Sequence, residues 1–257
     1  MEKSGVGDGE LKAIIMAAGP TYCDDEIGFP PDSKPKCLFH PILPNWNPTL
    51  YTSDPIGYAY NKDETLLERQ VRLLRSNGIE RIRIVTGYRS EDIEQFNEHK
   101  DLGLEFVHNP KWETDSVNGL ILGVQDLDDD LLVVYGDGFV GDVDLDNILK
   151  CDMPTVGIGL FSTMFKFGKQ HLPLIKRADE FRHTRRDEEG ICHLRRERSK
   201  VKDPHDNTQG IKLVLTIMHI YSIAKEKGEA AYLVVHDSTD VDLFRQTAES
   251  LGRYPCK

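Results

Sequence analysis

The feature that most restricts the fold is an alternation. Short, continuously apolar runs break into small or polar residues and then into stretches of helical periodicity. The first run is Leu11 to Gly19, LKAIIMAAG. Continuous Ile and Met without polar alternation is the pattern of a parallel strand covered by helices on both faces. Beyond it the chain turns at Ala17, Ala18 and Gly19, where almost no side chain stands between a ligand and the backbone N–H groups, as a phosphate loop requires. Packing alone produces the same ending in many α/β domains, so the downstream sequence decides.

Thr65-Leu66-Leu67-Glu68 has the form of a capping box, Leu67, Val71 and Leu74 fall at i, i+4 and i+7, and Asn77-Gly78 supplies a stop. These signals predict a helix over Thr65 to Asn77. Ile82, Ile84 and Val85 give the next strand, ending at Thr86-Gly87-Tyr88, with Ser90 expected as the N-cap of a second helix whose first turn holds Glu91 and Asp92. Leu104 to Val107 is a third strand. A helix starting near Asp115 follows, with Val117, Leu120, Ile121 and Val124 on one face, and then the strand Leu131 to Tyr135. Strands and helices alternating with short joins predict an α/β fold, a Rossmann-like, doubly wound, mostly parallel mixed sheet. Its ligand crevice lies at the carboxyl ends of the strands, where Gly19, Gly87 and Asp137 fall. After Thr155 to Leu160 the pattern breaks. Phe181 to Arg198 reads as a β-hairpin embellishment turning at Asp187 to Gly190, and the chain closes with strand Ala231 to Val235, Asp237, and a helix carrying Val241, Phe244, Ala248 and Leu251.

At 257 residues, 39% hydrophobic and 29% charged, the composition is that of an ordinary globular protein, and one domain over residues 1–257 is expected. Pro20 to Asn61 loses all periodicity, the mark of a long ordered loop or excursion rather than an element. No run approaches the length of a membrane span and the polar, Gly-rich start has no apolar core of a signal, so no membrane association and a cytoplasmic location are expected. Five cysteines, without CxxC or other metal-ligand spacing, read as reduced thiols. A net charge of -11 argues against a nucleic-acid partner. Positive charge for a phosphate must therefore be local. Lys176 to Lys202 holds 10 Lys/Arg against 6 Asp/Glu, a balance of +4, and this basic hairpin either draws a phosphate- or carboxylate-bearing acceptor or is merely a solvated face.

Asp137 follows LLVVY directly between Gly136 and Gly138, so its carboxylate reaches the crevice unshielded; the alternative is an ordinary turn aspartate. Asp237 has the same placement after a second apolar strand, and could equally cap the last helix. Two carboxylates at strand ends, facing a loop suited to phosphate, are a usual way to hold Mg²⁺.

AIIMAAG, Lys34-Pro35-Lys36-Cys37-Leu38, ETLLERQVRLLRSNGI, VTGY, HNPKWETDSVNGL and YGD, in this order over about the first half to three-fifths of the chain, resemble the nucleotidyltransferases that join NTPs to phosphorylated sugars and alcohols. NPKW followed by a polar helix start most resembles the phosphocholine cytidylyltransferase-like branch, which implies CTP rather than UTP or dTTP. The resemblance implies the nucleotide-diphospho-sugar transferase type of fold and a set of roles. Ala17, Ala18, Gly19 and Gly136 would offer backbone to the nucleotide, and Lys36 would neutralise the α-phosphate as it is attacked. Asp137 would hold Mg²⁺ with Asp237 sharing it. Gly87 and Tyr88 would lie by the base, and Thr114, Asp115 and Asn118 would read base or sugar, although packing or capping serves Tyr88 and Asn118 equally well.

The chain also departs from that family. The opening loop of the family continues Gly-x-Gly-x-Arg, whereas here it reads Gly19-Pro20-Thr21-Tyr22-Cys23. Both the second glycine and the arginine that grips the outer phosphates are missing, and Pro20 has no N–H to donate. Lys34 is one candidate to replace the arginine and equally a solvated loop lysine. The 39–63 insertion, with Trp46, Tyr51, Tyr58 and Tyr60, offers a lid, a wall for the acceptor, a homodimer contact, or a surface excursion packed on itself. His183, His193 and His205 lack metal-ligand spacing and receive no role. The first reading is thus a Mg²⁺-dependent cytidylyltransferase acting on a small phosphorylated or phosphonylated acceptor. The alternatives are a non-catalytic nucleotide-binding regulatory homologue, and a glycosyltransferase of the related nucleotide-sugar fold. The latter needs an Asp-x-Asp that Asp137-Gly138-Phe139 does not supply.

Overall fold

The structure is a computed structural model that describes residues 10–19, 34–38, 64–113, 116–138, 140, 142–151, 154–158, 163–178, 217, 220 and 232–235. Seven strands, β1 (Leu11–Met16), β2 (Ile82–Thr86), β3 (Glu105–His108), β4 (Asp130–Tyr135), β5 (Thr155–Ile158), β6 (Thr163–Phe167) and β7 (Tyr232–Val235), form one sheet in the order β3-β2-β1-β4-β6-β5-β7. β6 runs antiparallel to both of its neighbours, and every other pairing is parallel. The expected doubly wound, mostly parallel mixed sheet is what the chain forms.

The apolar run of β1 explains why it takes the middle of the parallel half. Ala13, Ile14 and Ile15 have no exposed surface, and successive side chains leave a strand on opposite faces. Ala13, Ile15 and Ala17 therefore enter one core, shared with Leu67, Val71 and Leu74 of helix α1 (Leu66–Ser76), Ile93 of α2 (Ser90–Lys100) and Leu145 and Ile148 of α4 (Asp142–Lys150). Ile14 and Met16 enter the other, with Leu120 and Val124 of α3 (Ser116–Val124) and Leu172 and Ile175 of α5 (Leu172–Lys176).

α1 begins as its sequence predicts. Glu68 N donates to Thr65 Oγ1 at 3.2 Å and Thr65 N donates to Glu68 Oε2 at 2.9 Å, the two halves of a capping box worth about 1 kcal/mol. α2 differs. Ser90 is its first helical residue rather than its cap; Arg89 precedes it at φ 48°, ψ 47°, with no side-chain cap, and reaches forward to Asp92 at 2.6 Å. A left-handed residue at that point turns the chain into the helix without help from the Ser90 hydroxyl.

α4, β6 and α5 have no counterpart in the sequence reading. The Thr155 strand and the Ala231 strand are β5 and β7. Among the described residues no helix is long and apolar enough to cross a membrane. The 39–63 insertion, the hairpin beyond residue 178, Thr114, Asp115, Asp237 and the last helix lie outside the described residues.

Candidate functional site

Where β1 and β4 end, Met16 stands opposite Tyr135, and the two chains stay joined one residue further: Gly136 N donates to Met16 O at 2.8 Å. The approach leaves no room for a side chain. A Cβ on Gly136 would lie 2.9 Å from Ala17 Cβ and 3.0 Å from Met16 O. Gly138 N then donates back to Tyr135 O at 3.1 Å, which closes a four-residue turn. Gly136 and Gly138 are buried in it, and Asp137 alone is exposed.

Lys36 comes from the other side of the crevice. Pro35 O accepts from Leu38 N at 2.9 Å to form a single 3-10 turn. Cys37 and Leu38 turn into the core that holds Leu67 and Val71, so Lys36 is left on the outer side. Its Nζ stands 3.2 Å from Asp137 Oδ2. With the two side chains 36% and 47% exposed, such a pair contributes no more than about 1 kcal/mol to folding. Stability therefore does not account for a lysine and an aspartate 101 positions apart meeting at the carboxyl ends of β1 and β4. That is the crevice in which open α/β sheets place their ligands.

The field of Asp137 is felt beneath the surface. Burial, with Asp137 adding to it, pushes the Cys37 thiol up to about 12, and the same two causes in the same order raise the Tyr135 phenol. Cys37 remains a protonated thiol and offers no nucleophile. Cys37 and Cys151 are both free, in keeping with the expected reduced thiols.

On the β2 side, Ala17 N donates to Val85 O at 2.9 Å and Tyr88 N donates to Ala18 O at 3.0 Å, so Ala17, Ala18, Gly87 and Tyr88 are brought together. Trp112, which sequence reasoning did not single out, completes this wall. Its ring meets Tyr88 edge-on at 5.4 Å between centroids, a favoured geometry for aromatic pairs. A Cβ on Gly87 would lie 2.3 Å from Trp112 Cβ and 2.8 Å from Ala18 O. The signal was present in the NPKW stretch, but nothing in its spacing says that the tryptophan folds back over the glycine that follows β2. Gly87→Ala is accordingly expected to destabilise the fold by about 1–3 kcal/mol in denaturant unfolding. Gly19→Ala, whose Cβ would meet no described residue within 4 Å, is expected to stay within about 0.5 kcal/mol of wild type.

Asn118 lies at the start of α3. Its Nδ2 donates to Asn109 Oδ1 at 2.7 Å, and that same oxygen accepts from Lys111 N at 3.0 Å. Asn118 thus ties the start of α3 to the Asn109–Trp112 turn and supports the wall from behind. Lys34 is half-buried beside Pro35. Among the described residues no group of three His, Cys, Asp or Glu is arranged to hold a metal.

A sheet of this order sets a paired lysine and exposed aspartate at the crevice of a Rossmann-like, mostly parallel fold. Residues 58–175 match the family model described as the MobA-like NTP transferase domain. That segment includes Asp137 and the Gly87–Trp112 wall, and leaves out β1 and Lys36, the part of the chain that holds the altered opening loop. Among curated proteins nothing matches the chain. Among solved structures it is similar to the CTP:phosphocholine cytidylyltransferase of Streptococcus pneumoniae, with 14% identity over 89% of this chain and 91% of that one and a TM-score of 0.47. A nucleotidyl transferase of Methanothermobacter shows 19% identity over 90% and 88%, with a TM-score of 0.48. The inositol-1-phosphate CTP transferase of T. maritima shows 13% over 89% and 86%, with a TM-score of 0.46. Likeness at this level bears on neither substrate nor residue roles.

Proposed function

We infer that this protein transfers a nucleotidyl group from an NTP, CTP foremost, to a small phosphorylated or phosphonylated acceptor, with release of pyrophosphate. The observation that carries the reading is the Lys36 Nζ to Asp137 Oδ2 approach of 3.2 Å at the crevice where β1 and β4 end. An ammonium and a carboxylate that contribute little to folding stand where an α-phosphate would lie. In the transfer, an acceptor phosphate oxygen forms the new bond to the α-phosphorus as the bond to the bridging oxygen breaks and pyrophosphate departs. Lys36 neutralises charge on the α-phosphate. The N–H groups of Ala17 and Gly136 are already donated to Val85 O and Met16 O, so the backbone that holds the nucleotide in line is that of Ala18 and Gly19. Positioning and charge neutralisation do most of the work in such reactions.

The carboxylate also suits Mg²⁺, which takes one or two protein carboxylates and completes its shell with water and substrate phosphates. Asp137 would hold the ion, with Asp237 as the second carboxylate. The ion would add positive charge against the phosphates. The preference for CTP rests on the resemblance of the NPKW stretch to the phosphocholine cytidylyltransferase-like branch.

The test is pyrophosphate release with Mg²⁺, with CTP, UTP, dTTP, ATP and GTP each offered phosphorylated alcohols, sugars, amino acids and phosphonates. Release that requires one NTP and one acceptor is the expected result. Silence across the panel from protein that still binds a nucleotide by calorimetry would replace the enzyme with the nucleotide-binding regulatory homologue. The absence of the loop arginine favours that second reading.

A further inference from the structure

The two groups at the crevice are carried by loops, yet both are held to one helix. The Lys36–Leu38 turn packs against α1 through Cys37 and Leu38. The Asp137 turn is held by the same helix through a side chain that the mechanism does not use. Gln70 is 1% exposed, and its Nε2 donates to both Tyr135 O at 2.8 Å and Gly138 O at 2.7 Å. These are the first and last carbonyls of the turn that presents Asp137. Next to it, Arg69, also 1% exposed, reaches Val140 O at 3.3 Å through both Nε and Nη2.

The orientation of the Gln70 amide is dictated by its surroundings. Two carbonyl oxygens can be met only by the donor end, and the acceptor Oε1 is left buried with no hydrogen-bond partner. Buried acceptors are seldom left so, and turning the amide over would place three oxygens together. Neither carbonyl depends on Gln70 for the strand ladder, since the turn already closes on itself and Gly136 N is already taken by Met16 O. What the amide adds is a fixed separation between α1 and the turn.

We propose that Gln70 is a positioning residue that locks the Tyr135–Gly138 turn onto α1 and so fixes Asp137 opposite Lys36. Its effect on catalysis rests on the nucleotidyl-transfer reading; its effect on the turn does not. Gln70→Met keeps the length and removes the two donors. Leu74→Ala loosens α1 from the core without touching the turn, and so reports what mere loss of packing does.

Two measurements decide the matter. In amide hydrogen exchange, Gln70→Met is expected to speed exchange at Gly136 to Val140 at least tenfold while α1 keeps its protection. Leu74→Ala is expected to lower Tm with little change at that turn. In turnover, Gln70→Met is expected to lower kcat about 10- to 100-fold with the KM for NTP within threefold of wild type, and Leu74→Ala to leave kcat within threefold. Unchanged exchange at 136–140, or faster exchange spread equally over α1, overturns the lock. Faster local exchange with an unchanged kcat overturns the positioning of Asp137. If wild type turns over no substrate pair, the functional reading falls, and the exchange result alone still decides whether Gln70 holds the turn.

Discussion

Asp137→Ala is expected to cut nucleotidyl transfer to below about a thousandth of wild type while the protein stays folded. Both halves follow from the position of the residue. Its carboxylate is the exposed group of a turn whose other features are backbone: Gly136 against Met16, Gly138 back to Tyr135, and the Gln70 amide on two carbonyls. Removing the side chain leaves all of these in place and breaks a surface ion pair, so the change in unfolding free energy should stay within about 1 kcal/mol. Steady-state pyrophosphate release beside a denaturant melt separates the two effects. Full activity in the alanine variant would remove Asp137 from the chemistry and return it to an ordinary turn aspartate.

Lys36→Ala is expected to lower kcat by about two to three orders of magnitude, the scale of losing one group that stabilises charge in the transition state. Lys36→Arg, which keeps the charge on a wider and less compact head, is expected to fall between alanine and wild type. The anchors of the turn are Cys37 and Leu38, at 2% and 5% exposure, so neither variant should disturb folding. An unchanged rate in the alanine variant would make Lys36 a solvated loop lysine whose approach to Asp137 is incidental.

Much of this arrangement is legible in the sequence, and the reasons are local. The Thr65–Glu68 cap, the continuous apolar runs of β1, β2 and β4, and the Gly-Asp-Gly after β4 are each decided by neighbours in the sequence. What escaped depended on partners far along the chain. β6 reads TMFKF, with Met164, Phe165 and Phe167 at 0–1% exposure. It is short, and its reversed direction is set by β4 and β5 on either side rather than by any signal of its own. α4 opens DVDLD, whose carboxylates mask the helical signal of Leu145 and Ile148, the residues that fill the core. Gln70 and Arg69 are polar residues outside the Leu67, Val71 and Leu74 stripe. Only the arrival of the Tyr135–Val140 loop on that side shows that α1 is buried there by backbone oxygens. Trp112 is of the same kind, placed by a glycine on another strand.

The packing of the Lys36 turn on α1 has a consequence for how this chain can change over time. Leu38 is seated in the core beside α1, and Thr65 caps that same helix. Both flanks of the 39–63 interval are thus anchored on one element. Closing a longer flexible segment between fixed ends costs only about 0.6 kcal/mol for each doubling. Lengthening the chain between Leu38 and Glu64 is therefore expected to leave Lys36, Gln70 and Asp137 in their places.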